Sequence, residues 1–134
     1  MSDRRLRAAI VVLATLGGGI ATYLTVAHFA HVQVACVTGG CETVQTSRYA
    51  ELGGVPVAVI GLAGYVLLAA TAGFRSDLAR VAGAAAALGG FVFAVYLIWV
   101  QVHVLGAICQ WCMASDFLLA LLVPATLLRL RDTP

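Results

Sequence analysis

The sequence has very few charged residues. Of its 134 residues only 10% are Asp, Glu, Lys or Arg, and lysine is absent altogether. A soluble domain usually carries about 25% charged residues, so this chain has too few to cover a surface exposed to water. Its formal net charge of +2 is also too small to suggest a nucleic-acid partner. These shortages exclude an ordinary soluble domain.

Apolar sequence takes the place of the missing charge, at 62% of the residues, with a mean hydropathy of +1.00. Charged residues are absent between Arg7 and Glu42, between Glu51 and Arg75, and between Arg80 and Asp116. Because a membrane-spanning helix needs about 20 apolar residues, the first two stretches predict helices over about 8–30 and 55–74. The chain is therefore predicted to be a membrane protein.

The apolar region from Val81 to Leu128 is interrupted by a single charge, Asp116. As one helix it would be more than twice the roughly 30 Å thickness of the hydrocarbon core, so it must turn back. Gly106, which follows the polar Gln101 and His103, is the best place for that turn. Helices are predicted over about 81–105 and 108–128, which makes residues 1–134 one all-α, polytopic domain with a four-transmembrane-helix bundle.

The arginines indicate how the bundle is oriented. With four spans, both termini and the loop at 75–80 lie on one side, together with Arg4, Arg5, Arg7, Arg75, Arg80, Arg129 and Arg131, and only Arg48 lies opposite. The positive-inside rule makes the arginine-rich side cytoplasmic. We therefore expect a multi-pass protein of the plasma or inner membrane, with both termini cytoplasmic and all four cysteines on the extracytoplasmic side.

Two features of the first outer region qualify this topology. The apolar run that ends in Val34-Ala35-Cys36 also has the form of a cleaved signal or lipoprotein anchor, but it is longer than a typical signal core and has Gln33 where an aliphatic residue is expected. Farther along, residues 42–52 carry spaced apolar side chains without Gly or Pro. They predict a short amphipathic helix lying at the interface in the first extracytoplasmic loop.

The cysteines form two pairs, one in each outer loop. Cys109 and Cys112 are a C-x-x-C at the start of the fourth span, so they share a helix face, and the helix N-terminus stabilises a thiolate. This arrangement is typical of thiol–disulfide exchange. Cys36 and Cys41 flank a segment with Thr38, Gly39 and Gly40, whose glycines let the chain turn tightly and the loop move.

Two other uses of four cysteines remain open on spacing alone. Each pair could be a structural disulfide, although the short C-x-x-C ring is a poor entropic clamp. Four thiolates could also hold zinc, although an oxidising compartment disfavours four reduced thiols. We expect no metal.

At these residues the chain resembles the vitamin K epoxide reductase family. The matching features are Cys36 and Cys41 after the first span, Ser47-Arg48-Tyr49-Ala50, Gly54-Val55-Pro56 before the second span, and Cys109 to Cys112 at the last. The DsbB family of quinone-linked thiol oxidases has a similar logic but the opposite order of cysteine pairs. It remains an alternative with different shuttle roles, beside a non-enzymatic membrane protein with structural disulfides.

The resemblance implies an enzyme that reoxidises protein thiols and reduces a membrane quinone, menaquinone or ubiquinone, to quinol. Cys109 and Cys112 would be the active-site pair, with Cys112 facing the quinone, and Cys36 and Cys41 the shuttle pair, with Cys41 exchanging with Cys109. Ser47 would hold the loop or the quinone head group. Because the chain stops at Pro134 without a fused thioredoxin-like domain, we expect a separate extracytoplasmic, DsbA-like partner.

Two further residues are candidates for contact with the quinone. Asp116 is the one charge inside a predicted span, and acids inside membranes are costly and often functional. It lies one turn below Cys112, where it could pass protons to the quinol or instead make a structural hydrogen bond through Ser115 or Gln101. Trp111, between the two cysteines, could stack on the quinone ring.

Overall fold

The computed structural model describes residues 2–37 and 39–131, so Thr38 of the predicted turn and Pro134 lie outside the described residues. Five α-helices are present in this part of the chain: α1 (Asp3–Ala30), α2 (Cys41–Thr46), α3 (Val57–Ala72), α4 (Asp77–Trp99) and α5 (Gln110–Arg131). The four longer helices form a ring in which α1 and α4 each pack against both α3 and α5. Small residues such as Ala14, Ala21 and Ala87 line the core and let the helices approach closely.

Three of these helices are long and apolar enough to cross a membrane: α1, the continuous segment Asp77–Leu105, and α5. The helix predicted over 55–74 is shorter in the structure, because α3 begins after Pro56 and ends at Ala72, with Gly73 as its C-cap. Its 16 residues correspond to about 24 Å, less than the roughly 30 Å of a bilayer core. The chain is thus an all-α membrane protein with three long apolar helices and a shorter one.

The predicted turn at Gly106 is confirmed. After α4 the helix widens into a π-helical segment, Val100–Leu105, and Gly106 adopts a left-handed backbone with φ 61°. The N–H of Ala107 then donates to the carbonyl of Gln101 at 3.0 Å, as expected of a helix that ends on a left-handed glycine. This turn directs the chain into the segment that carries Cys109.

The segment between α1 and α3, called the first outer loop after its predicted side of the membrane, differs from the single helix predicted over 42–52. Helix α2 ends at Thr46 because Ser47 is extended, and the Ser47 hydroxyl donates to the carbonyl of Val44 at 2.8 Å. A 3-10 turn, Arg48–Ala50, follows, and then the strands β1 (Glu51–Leu52) and β2 (Val55–Pro56) pair as an antiparallel hairpin. Gly53 and Gly54 form its two-residue turn with φ 60° and 85°, which suits glycine.

At the opposite end of the bundle, charged side chains join the helices. Arg129, only 2% exposed, donates to the carbonyls of Thr71 and Phe74, and its Nε lies 3.3 Å from Asp3 Oδ1. Arg80 lies 3.7 Å from the same carboxylate. These contacts place arginine donors at the carbonyl end of α3, where a helix has unsatisfied acceptors and partial negative charge. We call Asp3, Arg80 and Arg129 the arginine end.

Candidate active site

The second cysteine pair lies where the turn at Gly106 meets α5. Cys109 is fully buried, immediately before the first residue of α5, and Cys112 is partly buried in its first turn. The N–H of Cys109 donates to Oε1 of Gln101 at 2.9 Å, and Gln101 is itself only 2% exposed. This bond satisfies a buried backbone donor that the helix leaves without an internal partner. The polar residue that marked the turn in the sequence therefore also fixes the position of Cys109.

The first pair, Cys36 and Cys41, is joined as a disulfide. The Cα atoms of Cys36 and Cys41 are 6.0 Å apart, and the N–H of Cys41 lies 3.3 Å from the sulfur of Cys36. Cys41 opens α2 and is 1% exposed, whereas Cys36 lies in the extended segment before it and is partly exposed. Each pair thus has one buried and one more accessible cysteine.

The two buried cysteines belong to the same apolar cluster. Cys41, Val44 and Cys109 form its buried centre, and Cys36 and Cys112 pack at its margin. The structure therefore brings Cys41 and Cys109 into one buried cluster, and the exchange between them that the resemblance implies stays a prediction.

Gly40 explains how the two loops come so close together. A Cβ atom at this position would lie 2.6 Å from the carbonyl oxygen of Ile108 and 2.7 Å from its nitrogen. Its φ is −102°, so glycine is required here by close backbone approach rather than by a left-handed conformation. The left-handed residue is its neighbour Gly39, with φ 78°. The sequence interpretation gave both glycines the same role, and the structure separates them.

An apolar cavity of about 410 Å³ lies beneath the first outer loop, in the space between α1, α3, α4 and α5. Its polar or reactive lining includes Cys112, Ser47, Asp116, Tyr65 and His28. The volume falls within the roughly 300–1,000 Å³ typical of pockets for small organic ligands. Of the two cysteines at the start of α5, Cys112 lines this cavity and Cys109 does not.

Asp116 faces the cavity, and its Oδ2 atom is buried without a hydrogen-bond partner among the described residues. The neighbours considered from sequence are engaged elsewhere: the Ser115 hydroxyl lies 2.6 Å from the Tyr65 hydroxyl, and Gln101 accepts from Cys109. A buried polar atom without a partner is costly, which makes it a site for a ligand group that can donate to it or accept from it.

Trp111 is not among the described residues that line the cavity. Its indole N–H donates to the carbonyl of Ala35 at 2.5 Å, and its ring meets the edge of Tyr23 with 5.0 Å between centroids. The structure therefore places Trp111 against the first outer loop, because that loop folds over the start of α5. Stacking of Trp111 on a quinone ring stays a prediction that this position does not support.

Two residues of the cavity wall, Tyr65 and His28, were not selected as site residues from the sequence. The Tyr65 hydroxyl donates to the carbonyl of Ser115 at 2.8 Å on the cavity wall. Gly17 makes room for its ring, since a Cβ there would lie 2.3 Å from it. His28 reaches the cavity from α1, with Nε2 3.6 Å from Oε1 of Glu51 in the hairpin. Both residues are polar side chains within apolar helical stretches, and this was the sequence signal that could have identified them.

In the part of the chain that the structure describes, no group of three or more His, Cys, Asp or Glu side chains is arranged to hold a metal ion. Comparison with known protein families gives a match to the family described as the Vitamin K epoxide reductase family. The match covers residues 8–127 of the 134-residue chain. The matched range includes both cysteine pairs and most of the length of α1, α3, α4 and α5.

Proposed function

From its membership of the vitamin K epoxide reductase family, which makes this chain a membrane oxidoreductase, we propose that it oxidises protein thiols and passes their electrons to a quinone. One observation carries the proposal: Cys41 and Cys109 share a buried cluster, and Cys112, one turn farther along α5, lines the apolar cavity. The cysteines thus provide a continuous path from the outer loop to a space suited to a lipid-soluble acceptor.

The proposed relay consists of successive thiol–disulfide exchanges, each an attack by a thiolate on a disulfide sulfur. A reduced donor attacks Cys36 and leaves as a disulfide, so that Cys36 and Cys41 become thiols. Cys41 then attacks Cys109 in the Cys109–Cys112 disulfide, and Cys112 leaves as a thiolate. Cys36 attacks Cys41 in the resulting mixed disulfide, which restores the first disulfide and releases Cys109. One donor dithiol is oxidised and one active-site disulfide is reduced.

The cavity is the proposed site of the quinone, the second substrate, which accepts two electrons and two protons when the Cys109–Cys112 disulfide re-forms. Apolar walls suit its ring, and Ser47 and Asp116 supply polar atoms at those walls. The buried Oδ2 of Asp116 is suited to a hydrogen bond with a quinone or quinol oxygen, and we assign Asp116 to proton transfer there. Menaquinone and ubiquinone both fit this chemistry.

The proposed donor is an extracytoplasmic thioredoxin-like protein that attacks Cys36. Cys36 is the more accessible member of its pair, and the next residue, Val37, is 92% exposed, so a protein thiol can approach from this side. We place the cysteines outside the membrane and the arginine end in the cytoplasm, following the arginine asymmetry. Labelling of reduced intact cells with a membrane-impermeant thiol reagent should modify Cys36; protection of Cys36 until the cells are lysed would reverse this orientation.

The donor test separates the two pairs. Cys36→Ala should end turnover with a protein dithiol, because the donor loses its point of attack. The same variant should retain turnover with a small dithiol, which can attack the partly buried Cys112 directly. Cys112→Ala is the matched comparison and should lose quinone reduction with both donors. The measurement is quinone absorbance in reconstituted membranes; equal loss with both donors in Cys36→Ala would contradict the shuttle assignment.

A further inference from the structure

The two residues between the cysteines of the second pair both contact the chain on either side of Cys36. Oε1 of Gln110 accepts from the N–H of Val37 at 2.6 Å. The indole N–H of Trp111 donates to the carbonyl of Ala35 at 2.5 Å. The backbone is therefore tied to the first turn of α5 immediately before and immediately after Cys36.

A third residue completes this arrangement. The N–H of Ala35 donates to the hydroxyl of Tyr23 at 2.8 Å, and the ring of Tyr23 meets the ring of Trp111 edge-on with 5.0 Å between centroids. Both polar backbone groups of Ala35 are thus engaged, one by α1 and the other by α5. We call Gln110, Trp111 and Tyr23 the loop clamp.

The clamp and the packing around Cys41 act on different parts of the loop. Cys41 is positioned by the close approach of Gly40 to the backbone of Ile108. Cys36 is held within 6.0 Å of Cys41, Cα to Cα, by a disulfide and also by the clamp. Because the clamp bonds do not involve sulfur, opening of the disulfide does not itself break them, and we expect Cys36 to stay close to Cys41.

We propose that Gln110 and Trp111 are positioning residues that hold Cys36 ready to resolve the mixed disulfide between Cys41 and Cys109. The inference rests on the relay in the proposed function. In this step the Cys36 thiolate attacks the Cys41 sulfur, the Cys36–Cys41 bond forms, and the Cys41–Cys109 bond breaks. Cys109 leaves as a thiolate and takes up the proton that Cys36 lost, so the exchange needs no external oxidant or reductant.

The test uses the full chain with Cys112→Ala, which leaves three cysteines and one disulfide. Cys41 then partitions between Cys36 and Cys109, and acid quenching, alkylation and peptide mapping measure the ratio. A clamped Cys36 loses little freedom when it bonds to Cys41, whereas a released one loses more. Gln110→Leu and Trp111→Phe should each shift the ratio toward Cys41–Cys109 by roughly two- to fivefold, the scale of one hydrogen bond.

Two matched variants identify the cause of any shift. Gln110→Glu keeps an acceptor for the N–H of Val37 and should restore most of the parent ratio. Gln33→Leu removes a similar bond in the same loop, from Gln33 Nε2 to Glu42 Oε2 at 2.7 Å, that does not reach α5; it should leave the ratio unchanged. An unchanged ratio in both Gln110→Leu and Trp111→Phe would overturn the proposal, as would an equal shift in Gln33→Leu.

The outcome can be distinguished from failure of the proposed function because neither a quinone nor a protein donor is present. If the ratio shifts as expected but no quinone is reduced by the parent protein, the clamp stands and the acceptor assignment falls. If quinone is reduced but the ratio is insensitive to the clamp, the relay stands and Gln110 and Trp111 do not position Cys36.

Discussion

The two ends of the helix bundle are held together by different chemistry. At the arginine end, Arg129 is buried and donates to carbonyls near the end of α3 while it contacts the carboxylate of Asp3. At the cysteine end, the loops are joined by neutral hydrogen bonds such as Val37 to Gln110 and by the close packing of Gly40 on Ile108. Buried arginines join the helices at one end, whereas backbone hydrogen bonds and close packing position the cysteine loops at the other.

This difference matches what each end must do in the proposed relay. The arginine end has no covalent bond to exchange in that relay, so long charged side chains with several acceptors suit it. The cysteine end must exchange its covalent bonds while the sulfur atoms stay close together. Contacts through backbone groups and through Gly40 do not involve sulfur atoms, so exchange of the disulfides does not itself break them. The following substitutions test this division, from the largest expected effect on turnover to the smallest.

Gly40→Ala should have the largest effect on turnover. Its Cβ would clash with the backbone of Ile108 and force the first outer loop away from Cys109. A displacement of about 1 Å can cost roughly a hundredfold in rate, so turnover with a protein donor should fall by about that factor. Gly19→Ala is the control, since nothing lies within 4 Å of a Cβ there. Normal protein-donor kinetics in Gly40→Ala would show that the close approach is not needed.

Asp116→Asn should have a smaller effect on turnover. The amide keeps the shape and hydrogen-bonding capacity of the side chain but cannot release a proton, so turnover should fall by about tenfold or more and vary less with pH. Asp77→Asn is the matched control, because it alters an exposed acid near the arginine end. Turnover measured across pH, with folding checked by thermal unfolding, tests whether Asp116 transfers protons. Kinetics equal to those of the parent would contradict that role and leave Asp116 a structural role only.

Arg129→Met should barely change the turnover of folded protein but should lower its stability. Loss of charged donors to the carbonyls of Thr71 and Phe74 should cost roughly 2 kcal/mol of unfolding free energy. Arg131→Met changes an exposed residue two positions farther along α5, so it should lower the unfolding free energy much less. Detergent unfolding curves measure both. A turnover defect in Arg129→Met as large as that of Gly40→Ala would contradict the functional separation of the two ends.

The apolar helices, the turn at Gly106 and the pairing of Cys36 with Cys41 could be predicted from the sequence, because each follows from local composition or spacing. The hairpin after α2 was missed, although Gly53-Gly54 between two apolar residues is a recognised hairpin signal. The contacts of Trp111 with Ala35 and of Gly40 with Ile108 join segments far apart in sequence. No local sequence pattern indicates these contacts, so they could be identified only from the folded structure.

The most direct test of the proposed function is a single turnover with quinone. Protein with Cys109 and Cys112 reduced is placed in quinone-free membranes without oxygen, and one equivalent of menaquinone or ubiquinone is added. We predict one quinol, measured by absorbance, for each Cys109–Cys112 disulfide found by peptide mapping, and no quinol from Cys112→Ala. Quinol formation by Cys112→Ala at the parent level, or no oxidation of the parent thiols by either quinone, would contradict the proposal.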